Sequence, residues 1–206
     1  MSASITSPSG KPLVSILMPT YNAEDTIAAA IRSVLAQTRS EWELIVMDDG
    51  STDSTLKIAR ELAATDPRIL VLTQLNTGVG QARNNAAAHA SSEMFALLDS
   101  DDEYLPQYLE RMFVLVQRVP DRDLYSCNGY YVFSNGMRTR VRKGSEWTHE
   151  REFTAEEMLD GGPVFIPAMF RKSAFYRVGG FRRRIVEDYD LWIRILLTGG
   201  RHIYTP

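Results

Sequence analysis

Met94-Phe95-Ala96-Leu97-Leu98-Asp99-Ser100-Asp101-Asp102 is an apolar run that ends abruptly in three carboxylates among four positions. A short apolar run bounded by polar residues reads as a buried strand, Met94 to Leu98. The periodicity of Pro106 to Val119 beyond it reads as a helix, so the acidic loop is a strand-to-helix connection. The same grammar repeats upstream. Leu13 to Met18 is a first strand, stopped by Pro19. Glu24 to Gln37 is a helix with Ile27, Ile31, Val34 and Leu35 on one face and Glu24 and Asp25 in its first turn. Trp42 to Met47 is a second strand, and Asp48-Asp49-Gly50-Ser51-Thr52-Asp53 supplies a turn and a cap for the amphipathic helix carrying Leu56, Ala59, Leu62 and Ala63. Ile69 to Leu72 is a third strand, Asn76 to Gly80 a loop, and Gln81 to Ala90 an Ala-rich helix with Arg83 in its first turn.

Strands alternating with helices predict an α/β protein built on a largely parallel sheet. In such a sheet the loops beyond the carboxyl ends of the strands form the ligand crevice, which gathers the four polar strand ends into one site. After Asp121 the pattern loosens. Tyr125 to Phe133 and Met137 to Val141 flank Ser134-Asn135-Gly136, a hairpin signal, and Tyr189 to Thr198 is a final helix ended by Gly199-Gly200.

Composition excludes several classes of function. The 206 residues are 44% hydrophobic, enough for one substantial core, and the net charge of −3 gives no global attraction to nucleic acid or anionic lipid. The single cysteine, Cys127, forms no intrachain disulfide and suits a reducing, cytoplasmic setting. Residues 1–11 are rich in Ser, Pro and Gly and read as a flexible tail. No window approaches the roughly 18 uninterrupted apolar residues of a membrane span.

Each motif has a bland reading beside its chemical one. Asp99-Ser100-Asp101-Asp102 offers hard oxygen ligands dense enough for Mg²⁺ or Mn²⁺, or it is a solvated, capping turn. An EF-hand is excluded, because Tyr104 stands where that loop needs glycine. Asp49 suits an N–H of a uracil-like base, with Ser51 and Thr52 capping a helix, while capping alone would explain the whole loop. In Pro19-Thr20-Tyr21-Asn22 the tyrosine stacks on a base or simply packs. Gly78-Val79-Gly80-Gln81-Ala82-Arg83 has Arg where a dinucleotide fingerprint needs its third glycine, and it follows the third strand rather than the first. Arg83 suits phosphate or the Asp99 cluster, or a surface salt bridge. Glu187-Asp188-Tyr189-Asp190 offers either a general base or plain helix-dipole complements. Arg182-Arg183-Arg184 balances those acids, binds diphosphate or faces water.

Taken as an ordered set over residues 13 to about 204, these strings resemble family 2 glycosyltransferases: Pro19-Thr20-Tyr21-Asn22, Asp48 to Asp53, Gly78 to Asn84, Leu98 to Asp102, and Glu187-Asp188 before Leu191-Trp192. The resemblance implies a GT-A fold, Rossmann-like, with a mostly parallel central sheet, helices on both faces and a smaller mixed acceptor-side region. It divides residues 12–206 into a nucleotide-sugar half, 12–120, and an acceptor half, 121–206. It implies that Pro19, Thr20 and Tyr21 lie near the base, that Asp49 bonds the base, and that Gly78, Arg83 and Ser100 line the nucleotide-sugar. Asp101 would be the direct metal ligand, Asp99 would sit nearer the ribose or the metal's waters, and Asp188 would be the catalytic base. The implied cofactor is Mn²⁺ or Mg²⁺, the donor a nucleotide diphosphate sugar with UDP favoured, and the acceptor a saccharide or lipid-linked saccharide. The implied setting is polysaccharide or glycoconjugate synthesis at the cytoplasmic face of a membrane, with peripheral contact.

Two departures narrow that picture. The Gln-x-x-Arg-Trp string of processive synthases is absent, which favours transfer of one sugar, and relatives usually continue beyond the position of Pro206. Gly161-Gly162-Pro163 through Met169 matches the acceptor region loosely, and His202 is read as structural rather than a ligand. The competing readings are a nucleotidyltransferase, which should carry a basic Gly-rich loop after its first strand, and a sugar-nucleotide-binding module without turnover.

Overall fold

Four strands, β1 (Val14–Thr20), β2 (Trp42–Asp48), β3 (Ile69–Thr73) and β4 (Met94–Leu97), alternate with four helices, α1 (Ile27–Leu35), α2 (Thr55–Ala63), α3 (Val79–Ala88) and α4 (Tyr108–Arg118). This is a computed structural model that describes residues 11–141, 147–159, 168–182 and 186–206. The expected N-terminal tail, apart from Lys11, lies outside the described residues.

All seven residues of β1 are buried, as a strand covered on both faces requires. Its side chains alternate between two cores. Val14, Ile16 and Met18 pack with Ile27 and Ile31 of α1 and Leu109 and Met112 of α4, whereas Leu17 packs with Ala82 and Ala86 of α3. Alanine on α3 brings that helix close to the sheet.

The second half adds β5 (Leu124–Cys127), the β6 (Tyr130–Val132) and β7 (Arg138–Arg140) pair, α5 (Ala155–Leu159), β8 (Ala168–Arg171), α6 (Lys172–Arg177), α7 (Glu187–Leu197) and β9 (His202–Thr205). The main sheet has seven strands in the order β3-β2-β1-β4-β8-β5-β9. Among the described residues of this sheet only β8 runs against its neighbours, pairing antiparallel with β4 and β5. β5 therefore points the same way as β4, and its carboxyl end opens on the same rim as the acidic loop. This is the mostly parallel GT-A-like α/β architecture expected.

Several boundaries differ for identifiable reasons. Pro19 does not stop β1; it pairs in register with Met47 of β2, where β4 has already ended at the level of Leu17, so its missing N–H leaves no neighbour unpaired. α1 starts at Ile27 rather than Glu24, leaving Glu24 and Asp25 in a preceding turn. α3 starts at Val79, which moves Arg83 from a first turn into the second. The single strand expected over Tyr125 to Phe133 is broken into β5 and β6, and the Asn135-Gly136 hairpin forms as predicted, with Gly136 at φ 79° and the Phe133 N–H bonded to the Met137 carbonyl at 2.9 Å.

Candidate active site

The loops after β1, β2 and β3 are tied to one another by side-chain bonds. Asn22, in the left-handed region at φ 49°, donates its N–H to Ser51 Oγ at 2.9 Å and accepts the Thr52 N–H on Oδ1 at 2.9 Å. Ser51 and Thr52 thus clamp two loops together and do not cap α2; its N-cap position is Ser54, and Asp53, one residue earlier, accepts the Thr55 N–H at 2.9 Å. Glu24, freed from α1, accepts the Ser54 N–H at 2.9 Å. Asp48 accepts from Thr73 Oγ1 at 2.9 Å.

Asp49 is buried and organises the β3–α3 loop. Its Oδ1 accepts the Thr77 N–H at 2.9 Å and Gln74 Nε2 at 2.7 Å, and its Oδ2 accepts the Gly78 N–H at 2.8 Å. Gly78 thus serves Asp49. Nearby, Thr20 is buried with no hydrogen-bond partner for Oγ1, and Tyr21 is half exposed. These residues line one end of the rim.

The acidic loop is pinned by Tyr104, whose role sequence reading missed. Its buried hydroxyl donates to the Leu97 carbonyl at 2.7 Å, and its ring lies 4.1 Å from that of Tyr108. The backbone therefore returns to the sheet just past Asp102, and the Asp102 N–H closes a turn on the Asp99 carbonyl at 3.1 Å. Ligand atoms of Asp99, Asp101 and Asp102 lie within 4.8 Å of one another. Ser100 is half-buried between them. Although Asp102 is exposed as a residue, desolvation of its carboxyl, followed by the charges of Asp99 and Asp101, pushes it up to about 6. A loop whose acids repel one another at this range fits a hard divalent cation.

Arg83 decides how the two halves meet. It is 1% exposed, its Nη2 bonds Asp99 Oδ1 at 2.5 Å, and its Nη1 bonds Glu187 Oε1. This is not a surface pair; one guanidinium fork bonds two carboxylates brought from a strand end and from the first turn of α7. Through Arg83 the strand end that carries the acidic loop and the first turn of α7 are held side by side. Asp188 is half-buried and accepts the Tyr189 N–H at 2.8 Å. Glu187, for which the sequence leaves a general base and a helix-dipole complement open, is instead a partner of Arg83. Its separation of 104 residues from Arg83 is why no local pattern revealed it.

α7 is held in place from behind. Asn84 pairs with the backbone of Phe181 through both amide atoms, at 2.9 and 2.8 Å, and Arg194 donates to the carbonyls of Val178 and Gly180 at 2.7 and 2.8 Å. Gly180 stands at φ 70°, and a Cβ there would meet Asn84 Oδ1 at 2.7 Å. A Cβ on Gly80 would meet the Arg182 carbonyl at 3.2 Å, so the second glycine of the Gly78-Val79-Gly80 string allows α3 to approach the segment leading into α7.

Other residues stand apart from the site. His202 is buried, its Nε2 2.7 Å from Ser126 Oγ, and burial lowers its proton affinity to about 3. It is structural. Burial pushes the Cys127 thiol up to about 12, which makes it a poor nucleophile. Arg182 is exposed; Arg183, Arg184 and Gly161-Gly162-Pro163 lie outside the described residues.

With this geometry in hand, residues 15–179 match the family model described as glycosyl transferase family 2. The chain belongs to that family. The UDP-Glc:alpha-D-GlcNAc-diphosphoundecaprenol beta-1,3-glucosyltransferase WfgD of Escherichia coli is 34% identical over 185 residues, which cover 89% of this chain and 70% of that one. S. aureus TarS 1-349, solved in complex with UDP-GlcNAc, superposes with a TM-score of 0.78 at 23% identity, over 93% of this chain and 55% of that one. The mannosyltransferase PcManGT from Pyrobaculum calidifontis, solved with GDP-Man and Mn²⁺, gives a TM-score of 0.70 at 22% identity, over all of this chain and 58% of that one. The chain thus spans a little over half the length of these structures, which share its fold. Membership of a glycosyltransferase family sets the nucleotidyltransferase reading aside. Among the described residues, no helix is long and apolar enough to cross a membrane.

Proposed function

We propose that this glycosyltransferase moves one sugar from a UDP-sugar to a hydroxyl of a lipid-linked saccharide at a membrane face, with inversion at the anomeric carbon. The observation that carries the proposal is the Arg83 bridge, because it joins the acidic loop to the first turn of α7. The WfgD name, with its UDP-Glc donor and diphosphoundecaprenol-linked acceptor, supports the choice of substrates.

In this reading Thr20 and Tyr21 border the base and Pro19 ends the strand beneath it. Asp49, with a lone pair still free on Oδ2, accepts from the base, and Gly78 and Ser100 flank the diphosphate and ribose. Asp101 and Asp99, with Asp102 within reach, are the residues that would hold Mn²⁺ or Mg²⁺, whose charge would neutralise a departing diphosphate. Arg83 holds Asp99 and Glu187 side by side and so sets the position of Asp188. Asp188 takes the proton of the acceptor hydroxyl as its oxygen bonds the anomeric carbon. The bond from that carbon to the diphosphate breaks, and its electron pair leaves with the nucleotide.

The experiment is release of UDP, measured with and without a lipid-linked acceptor. Asp188→Asn is expected to slow transfer by about 10² to 10⁴-fold, while UDP with Mn²⁺ still raises the melting temperature. Transfer at the wild-type rate in that variant removes Asp188 from the role. Screening UDP, GDP and dTDP with Mn²⁺ by thermal shift tests the donor separately.

A further inference from the structure

The β6–β7 hairpin is unlike the rest of the surface. It packs as its own two-stranded sheet, and all three residues of β6 are exposed. Tyr131, Val132, Phe133 and Met137 are between 46% and 63% exposed, and they cluster within seven positions. An isolated two-stranded hairpin is marginal in water, and a concentrated apolar surface of this kind marks a place of association.

Charge indicates the partner. From Leu124 to Ser145 the sequence holds no acidic residue, whereas Arg138 and Arg140 lie in β7 and Arg142 and Lys143 follow, the latter two outside the described residues. The chain as a whole is at −3, so this basic stretch runs against the balance of the molecule. Aromatic and aliphatic side chains interleaved with arginine, without acids, match the interface of an anionic bilayer, where rings sit at the headgroups and guanidinium forks pair with phosphate.

Position agrees with charge. β5 runs parallel to β4, so the chain leaves β5 at Cys127 on the same rim that carries Asp99 to Asp102, and β6 begins at Tyr130. The hairpin therefore springs from the edge of the catalytic crevice. We infer that the β6–β7 hairpin docks on an anionic lipid surface, with Tyr131, Val132, Phe133 and Met137 entering the headgroup region and Arg138 and Arg140 binding lipid phosphate. This rests on the lipid-linked acceptor reading for its purpose, and gives that reading a mechanism of approach.

The test is sedimentation of the full chain with vesicles of phosphatidylcholine alone and with about 30% phosphatidylglycerol, in the absence of donor and acceptor. Binding is expected only with the anionic lipid and should weaken as salt rises. R138Q and R140Q should each weaken it about fivefold, and Y131S with F133S should weaken it comparably, with unchanged melting temperatures. Equal binding to both vesicles, no binding to either, or loss in the arginine variants without loss in the aromatic pair overturns the inference. A drop in melting temperature of the aromatic variant would also overturn it, by assigning the hairpin to internal packing. Because no substrate is present, failure here leaves the role of Asp188 untouched, and failure of Asp188→Asn leaves this result standing.

Discussion

The β1–α4 half and the β5–β9 half share one sheet but are held by different forces. In the first, each strand hands directly to a helix, and its polar loops are locked by neighbours at the same rim, as Asn22 is by Ser51 and Thr52. In the second, a reversed strand, a free hairpin and short helices are fixed by long-range polar contacts: Asn84 to Phe181, Arg83 to Glu187, Ser126 to His202. The first half is specified by local pattern, and the second is specified by what the first half offers it.

If that contrast is right, the severest damage should come from cutting a link between the halves. Arg83→Met leaves Asp99 and Glu187 facing each other without a cation, and is expected to lower stability by about 3 kcal/mol in a urea titration and to abolish transfer. Loss of transfer with full stability would mean that Arg83 serves the substrate and not the junction. Gly180→Ala should come next, at about 2 kcal/mol, from its positive φ and the collision with Asn84 Oδ1. A Gly180→Ala variant as stable as wild type would show that α7 does not depend on the Asn84 contact.

His202 adds a pH test confined to the second half. Its folded proton affinity is lowered to about 3 from an ordinary 6.5, so the unfolded chain binds the extra proton. Stability should be full above pH 6.5 and should fall on acidification below it, approaching about 1.4 kcal/mol per pH unit near pH 5. His202→Gln should flatten that slope, and an unchanged slope would place the proton elsewhere. The smallest effect is expected within the first half: Ser51→Ala removes one exposed loop clamp, costs about 0.5 to 1 kcal/mol, and should leave the UDP and Mn²⁺ thermal shifts largely intact.

The strand-helix alternation to Arg118 was legible because periodicity is a local signal, and the clustering of Asp99, Asp101 and Asp102 was legible because three carboxylates within four positions of a strand end are neighbours by chain connectivity alone. The hairpin turn was legible for the same reason, through Asn135-Gly136. Three things were not. Pro19 continues its strand because β4 stops short of it, a fact of sheet register. Ser51 and Thr52 bond Asn22, 29 and 30 residues upstream, in preference to their own helix. Glu187 becomes half of a buried pair only when α3 and α7 pack, through Gly80, to contact.

The 104 residues separating Arg83 from Glu187 also set a schedule for biogenesis. As the polypeptide emerges from the ribosome, the first four strands can pair while Arg83 still lacks one of its two anions. Only when α7 has cleared the exit tunnel does the guanidinium acquire its second carboxylate. A nascent chain stalled before Val186 would therefore hold Arg83 against Asp99 alone, with the α7 side of the rim still unbuilt.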